Sequence, residues 1–270
     1  MKAKGKVIVV TGGGNGMGRE LVLALLKMGS KVAAVDINQD ALFETKRLAG
    51  NLKNQLSIHV VNLTNKEAVE KLPNEVIKAH GCVDGIINNA GIIQPFIKVN
   101  DLTYDQIDRV MQVNFYGTLY MVKAFIPHLL KRPEGSIVNV SSMGGFLPVP
   151  GQSIYGAAKA AVKQMTEGLS AELKHTNISV TAVFPGAINT DIKFNSGAEK
   201  QKKSNDEMKK APIKPLSPKK AAEKIIAAME NRKDRIYVGP DSSAMNWLYR
   251  MMPSVASNLI AKQMKMHIPD

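Results

Sequence analysis

The segment Val7-Ile-Val-Val-Thr-Gly-Gly-Gly-Asn-Gly-Met-Gly18 decides how this sequence folds. Its first four residues are apolar and β-branched, which predicts a buried strand, and a glycine-rich turn follows directly. Apolar residues then recur at helical spacing over 17–28, and Gly29 ends the predicted helix. A strand joined to a helix by such a turn is typical of nucleotide-binding units, because glycines let the backbone approach a phosphate at the positive end of the helix.

Strand and helix signals alternate along the rest of the chain. Further strands are predicted at 32–35, 56–61, 83–87, 136–140, 178–184 and 235–238, and helices at 39–48, 66–79, 103–130, 153–175 and 217–230. Seven strands separated by helices predict an α/β single-domain Rossmann fold, a doubly wound parallel sheet with helices on both faces. We expect one domain over 1–270, with a core at 1–190, a loop at 191–216 and a helical tail at 241–270.

Composition excludes several classes of protein. Of 270 residues, 44% are hydrophobic and 22% are charged, which is ordinary for a globular fold and argues against disorder. Cys82 is the only cysteine and the five histidines lack metal-ligand spacing, so we expect neither a disulfide nor a metal site. No apolar run approaches the length of a secretory leader or of a membrane span, about 18 residues. A cytoplasmic protein is expected.

The formal charge of +13 is unevenly distributed. Residues 191–235 hold 13 basic and 7 acidic side chains, so nearly half of the excess lies in a sixth of the chain. No aromatic residue lies between Phe194 and Tyr237, whereas nucleic-acid surfaces interleave basic and aromatic residues. We therefore expect no nucleic-acid partner.

The spacing of the first turn is T-G-x-x-x-G-x-G, because Met17 stands where the third glycine of G-x-G-x-x-G would be. Asp36 ends the second predicted strand twenty residues after Gly16, where its carboxylate can accept hydrogen bonds from ribose hydroxyls. The same charge repels a 2′-phosphate, and the next residue, Ile37, offers no cation. NAD is thus expected rather than NADP, with Arg19 as the one nearby base that favours the alternative.

Four further polar residues point to acid–base chemistry. Tyr155 and Lys159 stand one turn apart on a predicted helix, so a cation can favour the phenolate and lower the tyrosine pKa from its usual value near 10. Ser142 ends the fifth strand, thirteen residues before the tyrosine. Asn114 lies in the middle of a predicted helix, where asparagine is a mediocre helix former.

Together with Asn88-Asn-Ala-Gly91 after the fourth strand and Pro185-Gly186 after the sixth, these motifs resemble the short-chain dehydrogenase/reductase family. The match runs in order over 6–190. The resemblance implies a catalytic tetrad, in which Tyr155 is the general acid/base, Lys159 lowers its pKa and binds the nicotinamide ribose, and Ser142 binds the substrate oxygen. Asn114 would hold a water in a proton relay to Lys159.

The resemblance also implies the residues that hold the dinucleotide. These are Gly12, Asn15, Gly16, Met17, Gly18, Asp36, Asn62, Leu63, Asn89, Ala90, Gly91, Tyr155, Lys159, Pro185, Gly186, Ile188 and Thr190. Asn62-Leu63 departs from the family, which usually has an aspartate that binds the adenine amine. An amide oxygen can still accept that hydrogen bond, so we expect weaker adenine contact but not loss of binding.

The substrate is less constrained. Residues near the catalytic groups are mostly apolar, and the expected substrate contacts are Ser142, Met143, Phe146, Val149, Gln152 and Tyr155. The resemblance implies that 191–216 covers the substrate. A hydrophobic secondary alcohol or ketone is the expected substrate, with reduction of a 3-oxoacyl thioester as the alternative, and a non-catalytic dinucleotide-binding sensor or scaffold as the alternative of another class. The family also implies a homodimer or homotetramer.

The tail at 242–266 carries an apolar stripe at helical spacing, interrupted at Pro253. Packing over the pocket or core, an oligomer interface, and weak contact with a membrane surface all fit this pattern. Few basic residues flank the stripe, which argues against a strong membrane anchor.

Overall fold

A computed structural model describes residues 1–198 and 215–264. Seven strands form one parallel sheet in the order β3-β2-β1-β4-β5-β6-β7. They are β1 (Val7–Thr11), β2 (Lys31–Asp36), β3 (Leu56–Val60), β4 (Gly85–Asn88), β5 (Gly135–Val140), β6 (Ile178–Pro185) and β7 (Arg235–Val238). The predicted doubly wound α/β fold is confirmed.

Helices cover both faces of the sheet. They are α1 (Gly16–Lys27), α2 (Gln39–Leu48), α3 (Lys66–His80), α4 (Tyr104–Met111), α5 (Gly117–Leu129), α6 (Ser153–Glu172), α7 (Ile192–Asn195), α8 (Pro218–Glu230), α9 (Pro240–Met251) and α10 (Pro253–Met264). One core cluster packs α1 and α8 on the sheet, through residues such as Leu21 and Ile225. The other packs α3 and α5 on the opposite face, through residues such as Leu72 and Phe125.

The helix predicted at 103–130 is interrupted. A wide, π-helical turn at Gln112–Tyr116 joins α4 to α5, and Asn114 lies inside it. The Asn114 side chain is fully buried and bonds to the backbone of Ile92 rather than within the helix. A locally widened turn is a recurring feature of functional sites, and here it directs this asparagine toward the β4 end of the sheet.

The order of the strands reverses between β1 and β4. From β1 the chain proceeds outward to β2 and β3, and from β4 outward to β5, β6 and β7. The connections at the carboxyl ends of β1 and β4 therefore diverge and leave a crevice, which is where ligands bind in sheets of this topology.

The tail forms two helices that separate at Pro253, as the sequence predicts. Ala256 and Ile260 of α10 bury Leu147, in the connection between β5 and α6, and partly buried side chains of α9 complete the cluster. The tail therefore packs over the 143–149 segment, while Trp247 and Met251 on α9 remain 62% and 65% exposed.

Some predictions concern residues outside the described ones. Most of the predicted 191–216 loop, with its lysines at 200–214, and the last six residues of the tail lie there. Within 1–198 and 215–264, none of the helices combines the length and hydropathy that a membrane span requires. The same ranges contain no group of three His, Cys, Asp or Glu side chains placed to hold a metal ion.

Candidate active site

Thr11, at the end of β1, ties the two sides of the crevice together. Its hydroxyl oxygen accepts hydrogen bonds from the backbone N–H groups of Asn89 and Ala90, each at 3.0 Å. The side-chain amide of Asn89 donates in return to the Thr11 carbonyl oxygen at 3.0 Å. The glycine-rich turn and the Asn88-Asn-Ala-Gly91 motif are thus held as one unit. The sequence identifies Thr11 only as the first residue of the T-G-x-x-x-G-x-G motif and does not predict this bridging role.

The glycine-rich turn brings the start of α1 onto β1. Gly12 has a φ of +68°, and a Cβ on Gly18 would overlap the carbonyl oxygen of Gly12, so both positions require glycine. The Asn15 side chain makes no capping hydrogen bond to the first turn of α1. Unpaired N–H groups at a helix N-terminus attract anions, so this turn fits the pyrophosphate of a dinucleotide. The Met17 side chain is partly buried and packs on the hydrophobic core.

Asp36 and Arg19 shape the ribose end of the crevice. The Asp36 carboxylate accepts from the backbone N–H groups of Gly14 and Asn38, each at 3.0 Å. The Arg19 guanidinium donates to the Thr45 hydroxyl at 3.1 Å and to the Gly14 carbonyl oxygen. Arg19 therefore braces the turn against α2, although the sequence suggested it as a base for a 2′-phosphate.

The segment after β6 reaches the glycine-rich turn. A Cβ on Gly16 would lie 3.3 Å from the Thr190 Cγ2, so the two cofactor residues are adjacent. Gly186 donates its N–H to the Val238 carbonyl oxygen at 2.9 Å, and Ile188 bridges to Leu216 in parallel. The Pro185-Gly186 end of β6 is thereby anchored to β7.

Asn62 and Leu63 have local partners. The Asn62 side-chain oxygen accepts from the N–H and the hydroxyl of Thr64, at 3.1 and 2.9 Å. Leu63 lies against Gly117, whose Cβ would be 3.0 Å from that of Leu63. An adenine amine would have to displace the Thr64 hydroxyl to reach the Asn62 oxygen, so the contact expected from sequence stays a prediction.

Ser142, Tyr155 and Lys159 converge at the carboxyl end of β5. Ser142 Oγ and the Tyr155 ring both lie against Gly144, where a Cβ would be 3.6 Å from Ser142 Oγ and 3.5 Å from Tyr155 Cε1, and Ser142 Oγ accepts from the Gly144 N–H at 3.1 Å. Lys159 Nζ donates to the Val140 carbonyl oxygen at 3.0 Å and lies 6.0 Å from the centre of the tyrosine ring. The neighbouring Ser141 turns away and donates to the Lys159 carbonyl oxygen at 2.7 Å. The serine beside the tyrosine is therefore Ser142.

Burial dominates the titration of this site. It raises the pKa of the Tyr155 phenol above its usual value, and the hydrogen bond from Ser142 opposes this rise. It lowers the pKa of Lys159 to about 8, because a 3% exposed ammonium has little solvation. The sequence suggested that Lys159 lowers the Tyr155 pKa. In the folded chain itself, Lys159 is not a cause of the Tyr155 pKa shift. The phenol is held neutral, which is the form that donates a proton.

Asn114 contacts the site through the backbone after β4. Its Oδ1 accepts from the Ile92 N–H and its Nδ2 donates to the Ile92 carbonyl oxygen, both at 2.9 Å. A Cβ on Gly91 would lie 3.0 Å from Asn114 Oδ1 and 3.1 Å from Lys159 Nζ, so these three residues are neighbours. The asparagine amide is thus occupied by Ile92, and its place in a water relay stays a prediction.

The expected substrate residues divide into two groups. Met143 and Val149 pack with the tail around the buried Leu147. Phe146 contacts the rings of Phe184 and Tyr237 edge-on, with both centroids at 5.8 Å, and is partly a core residue. The wall next to Ser142 is therefore apolar.

Gln152 differs from these apolar residues because it is buried and its Nε2 donates to backbone carbonyls. One of those carbonyls belongs to Gln94, a site residue that sequence reasoning missed. Gln94 Oε1 accepts from the N–H groups of Ile154 and Tyr155, each at 2.9 Å. Gln94 follows the Asn88-Asn-Ala-Gly91 motif by three residues, and no spacing in the sequence links it to a helix that begins at Ser153.

Comparisons with known proteins agree with this geometry. The chain is 36% identical over 265 residues to a putative oxidoreductase SadH of Mycobacterium tuberculosis, covering 96% of this chain and 95% of that protein. It is 35% identical over 192 residues to the 3-oxoacyl-acyl-carrier-protein reductase FabG of Thermotoga maritima, covering 71% and 78%.

Solved structures share the fold. A short-chain dehydrogenase/reductase from Burkholderia phymatum in complex with NAD superposes with a TM-score of 0.82 at 23% identity, covering 94% of this chain and 96% of that one. A short-chain dehydrogenase from Burkholderia cenocepacia in complex with NADP gives 0.79 at 26% identity, covering 96% and 99%. Residues 6–201 match the family model described as short chain dehydrogenase. The chain belongs to the short-chain dehydrogenase/reductase family of oxidoreductases.

Proposed function

We propose that this protein transfers hydride between NAD(H) and a hydrophobic secondary alcohol or ketone, with Tyr155 as the general acid/base. The observation that carries the proposal is the pair of Ser142 and Tyr155, adjacent at Gly144, with Lys159 behind it at the carboxyl end of β5. The pair lies beside an apolar wall formed by 143–149 and the tail. Bound NAD(H) would supply or accept the hydride.

The proton is handled by the chain's own residues. In the direction of reduction, the neutral Tyr155 phenol donates its proton to the carbonyl oxygen of the substrate. Ser142 Oγ accepts from the Gly144 N–H, so its own proton is available to the same substrate oxygen. Lys159, held by Val140 and Ser141, contributes positive charge that stabilises the phenolate left behind. In the direction of oxidation the same phenolate accepts the proton.

The ribose end of the crevice favours NAD over NADP. Asp36 presents a carboxylate that can accept from ribose hydroxyls and repels a 2′-phosphate. Arg19 donates its hydrogen bonds to the glycine-rich turn and to Thr45, so its fork is not directed at a phosphate on the ribose.

A second candidate is the reduction of a 3-oxoacyl thioester. The relative from Thermotoga maritima carries that activity in its name and is 35% identical over 192 residues. The chemistry at Tyr155 would be the same, and only the group beyond the carbonyl would differ. The side chains around Ser142, such as Met143 and Phe146, are apolar and would suit an acyl chain as well as a compact ketone.

The test is the rate of NADH and NADPH oxidation with two matched panels, hydrophobic ketones and 3-oxoacyl thioesters. We expect NADH-dependent turnover of hydrophobic ketones, with kcat/KM rising as apolar bulk is added. Preference for the thioesters would establish the second candidate. Tight NADH binding without turnover of any carbonyl would contradict both and favour the dinucleotide-binding sensor.

A further inference from the structure

Gln94 and Gln152 are two buried glutamines that connect the segment after β4 to the start of α6. Gln94 is 1% exposed and Gln152 is 4% exposed. We propose that Gln94 is a positioning residue for Tyr155, which fixes the first turn of α6 and with it the phenol in the geometry needed for proton transfer. This inference rests on the proposed function, because it assumes that Tyr155 transfers the proton.

The first turn of α6 needs partners from outside the helix. The first N–H groups of any helix lack intrahelical acceptors, and the residue before the helix usually supplies one from its side chain. Here that residue is Gln152, and its side chain caps nothing in α6. The side-chain oxygen of Gln94, Oε1, instead accepts from the N–H groups of Ile154 and of Tyr155 itself, each at 2.9 Å. The cap of the catalytic helix therefore comes from a residue 60 positions earlier in the chain.

Gln94 is itself held in one orientation. Its Nε2 donates to the Gly151 carbonyl oxygen at 3.0 Å. Its backbone carbonyl accepts from the Gln152 Nε2 at 2.9 Å. Two N–H donors face one end of the Gln94 side-chain amide and a carbonyl acceptor faces the other, so the amide oxygen and nitrogen can be placed in only one way. The acceptor that meets Tyr155 is therefore rigid.

The same short segment is fixed at two other points. Ile92 is bonded in both directions by Asn114 in the π-helical turn, and the Ile93 N–H donates to the Ser196 hydroxyl at 3.0 Å. Three consecutive residues, 92–94, thus contact three different elements. Movement of this segment would displace Tyr155, because Gln94 connects the two.

Tyr155 and Lys159 are held by different contacts. Lys159 is fixed by Val140 and Ser141 at the end of β5, independently of Gln94. Loss of the Gln94 acceptor therefore releases the first turn of α6 while Lys159 stays in place. The phenol then shifts relative to Ser142 and Lys159. A misplacement of about 1 Å can cost on the order of 100-fold in rate.

The experiment compares Gln94→Met, which keeps the shape but not the polar groups, and Gln94→Asn, whose amide is one methylene too short. We expect kcat for the best ketone to fall by about 10- to 100-fold in both, with the NADH dissociation constant unchanged. We also expect the pH profile of alcohol oxidation to move to higher pH, because the Ser142 hydrogen bond that lowers the Tyr155 pKa is weakened.

The matched control is Thr103→Ala, which removes the N-terminal cap of α4 outside the site. It should lower the melting temperature without changing kcat or the pH profile. Wild-type kcat and an unshifted pH profile in Gln94→Met and Gln94→Asn would overturn the inference. An equal loss of kcat in the control would overturn it as well. A Tyr155→Phe variant that keeps turnover would overturn the proposed function instead, which separates the two failures.

Discussion

The nucleotide side of the crevice, from the glycine-rich turn to Asp36, and the catalytic side, from Ser142 to Lys159, are held by different kinds of contact. On the nucleotide side, close backbone approaches between residues near in sequence shape the turn, such as Gly18 against the Gly12 carbonyl oxygen. On the catalytic side, buried side chains bond to backbone far away in the sequence, such as Gln94 to Tyr155. Local backbone geometry can be specified by glycine spacing, whereas the catalytic side depends on the assembled fold.

Adding one methyl group at Gly18 should lower both the stability of the protein and its affinity for NADH. Gly18→Ala places a Cβ against the Gly12 carbonyl oxygen, which is backbone and cannot yield cheaply. We expect a loss of about 3 kcal/mol in the free energy of unfolding and a large loss of NADH affinity. Denaturant unfolding and NADH fluorescence titration measure both.

The control for that change is Gly168→Ala, in α6, where an added Cβ meets no atom within 4 Å. Alanine is the better helix former, so this variant should be stabilised by up to about 1 kcal/mol with unchanged NADH affinity. A Gly18→Ala variant that matches this control would refute the steric role assigned to Gly18.

The catalytic side should become more stable when its buried charge is removed. The pKa of Lys159 falls from 10.5 to about 8 on burial, so its charge opposes folding below pH 8. Lys159→Met should therefore raise the free energy of unfolding by about 2 kcal/mol at pH 7, after allowance for the lost bond to Val140. As the pH rises from about 8 toward 10.5, wild-type Lys159 loses its proton in the folded state and the difference shrinks.

Urea unfolding at pH 7 and pH 10 tests this, with Lys163→Met as the matched lysine on the next turn, paired with Glu167 at 3.0 Å near the surface. The control should change stability by less than about 1 kcal/mol at either pH. Equal stability of wild type and Lys159→Met at pH 7 would show that the ammonium carries no burial penalty.

Asp36 extends the comparison, because we propose that its charge discriminates between NADH and NADPH on the nucleotide side. Asp36→Asn keeps an oxygen for the Gly14 or Asn38 N–H but removes the charge that repels a 2′-phosphate. We expect the preference for NADH over NADPH in kcat/KM to fall by about tenfold, which corresponds to about 1.4 kcal/mol. Asp40→Asn, an exposed carboxylate in the first turn of α2, should leave the preference unchanged. A preference that survives Asp36→Asn would assign the discrimination to other residues.

The sequence predicts most of the fold, since strand and helix bounds agree to within three residues. Apolar runs and glycine positions are local signals, and they suffice for β1, α1 and the order of the elements. The break of the long helix at Gln112–Tyr116 could not be predicted, because it depends on the bond of Asn114 to Ile92, 22 residues away.

For the candidate site too, the sequence identifies some of the residues and misses those that depend on contacts far apart in the chain. Spacing and the family resemblance together single out Ser142, Tyr155 and Lys159, and the structure brings these three together. Gln94 and the bridging role of Thr11 could not be found, since neither depends on a neighbour in sequence. The raised pKa of Tyr155 also differs from the expectation, because burial outweighs the opposing effect of Ser142 and only the folded chain determines burial.

The most direct test of the central claim is steady-state NADH oxidation by Tyr155→Phe beside wild type, with the best hydrophobic ketone and with NADH affinity measured in parallel. Removing one hydroxyl leaves the ring in place, so NADH affinity should change little. We expect a fall in kcat of about 100- to 10,000-fold, the range typical for loss of a general acid. Turnover by Tyr155→Phe within a few fold of wild type would contradict it.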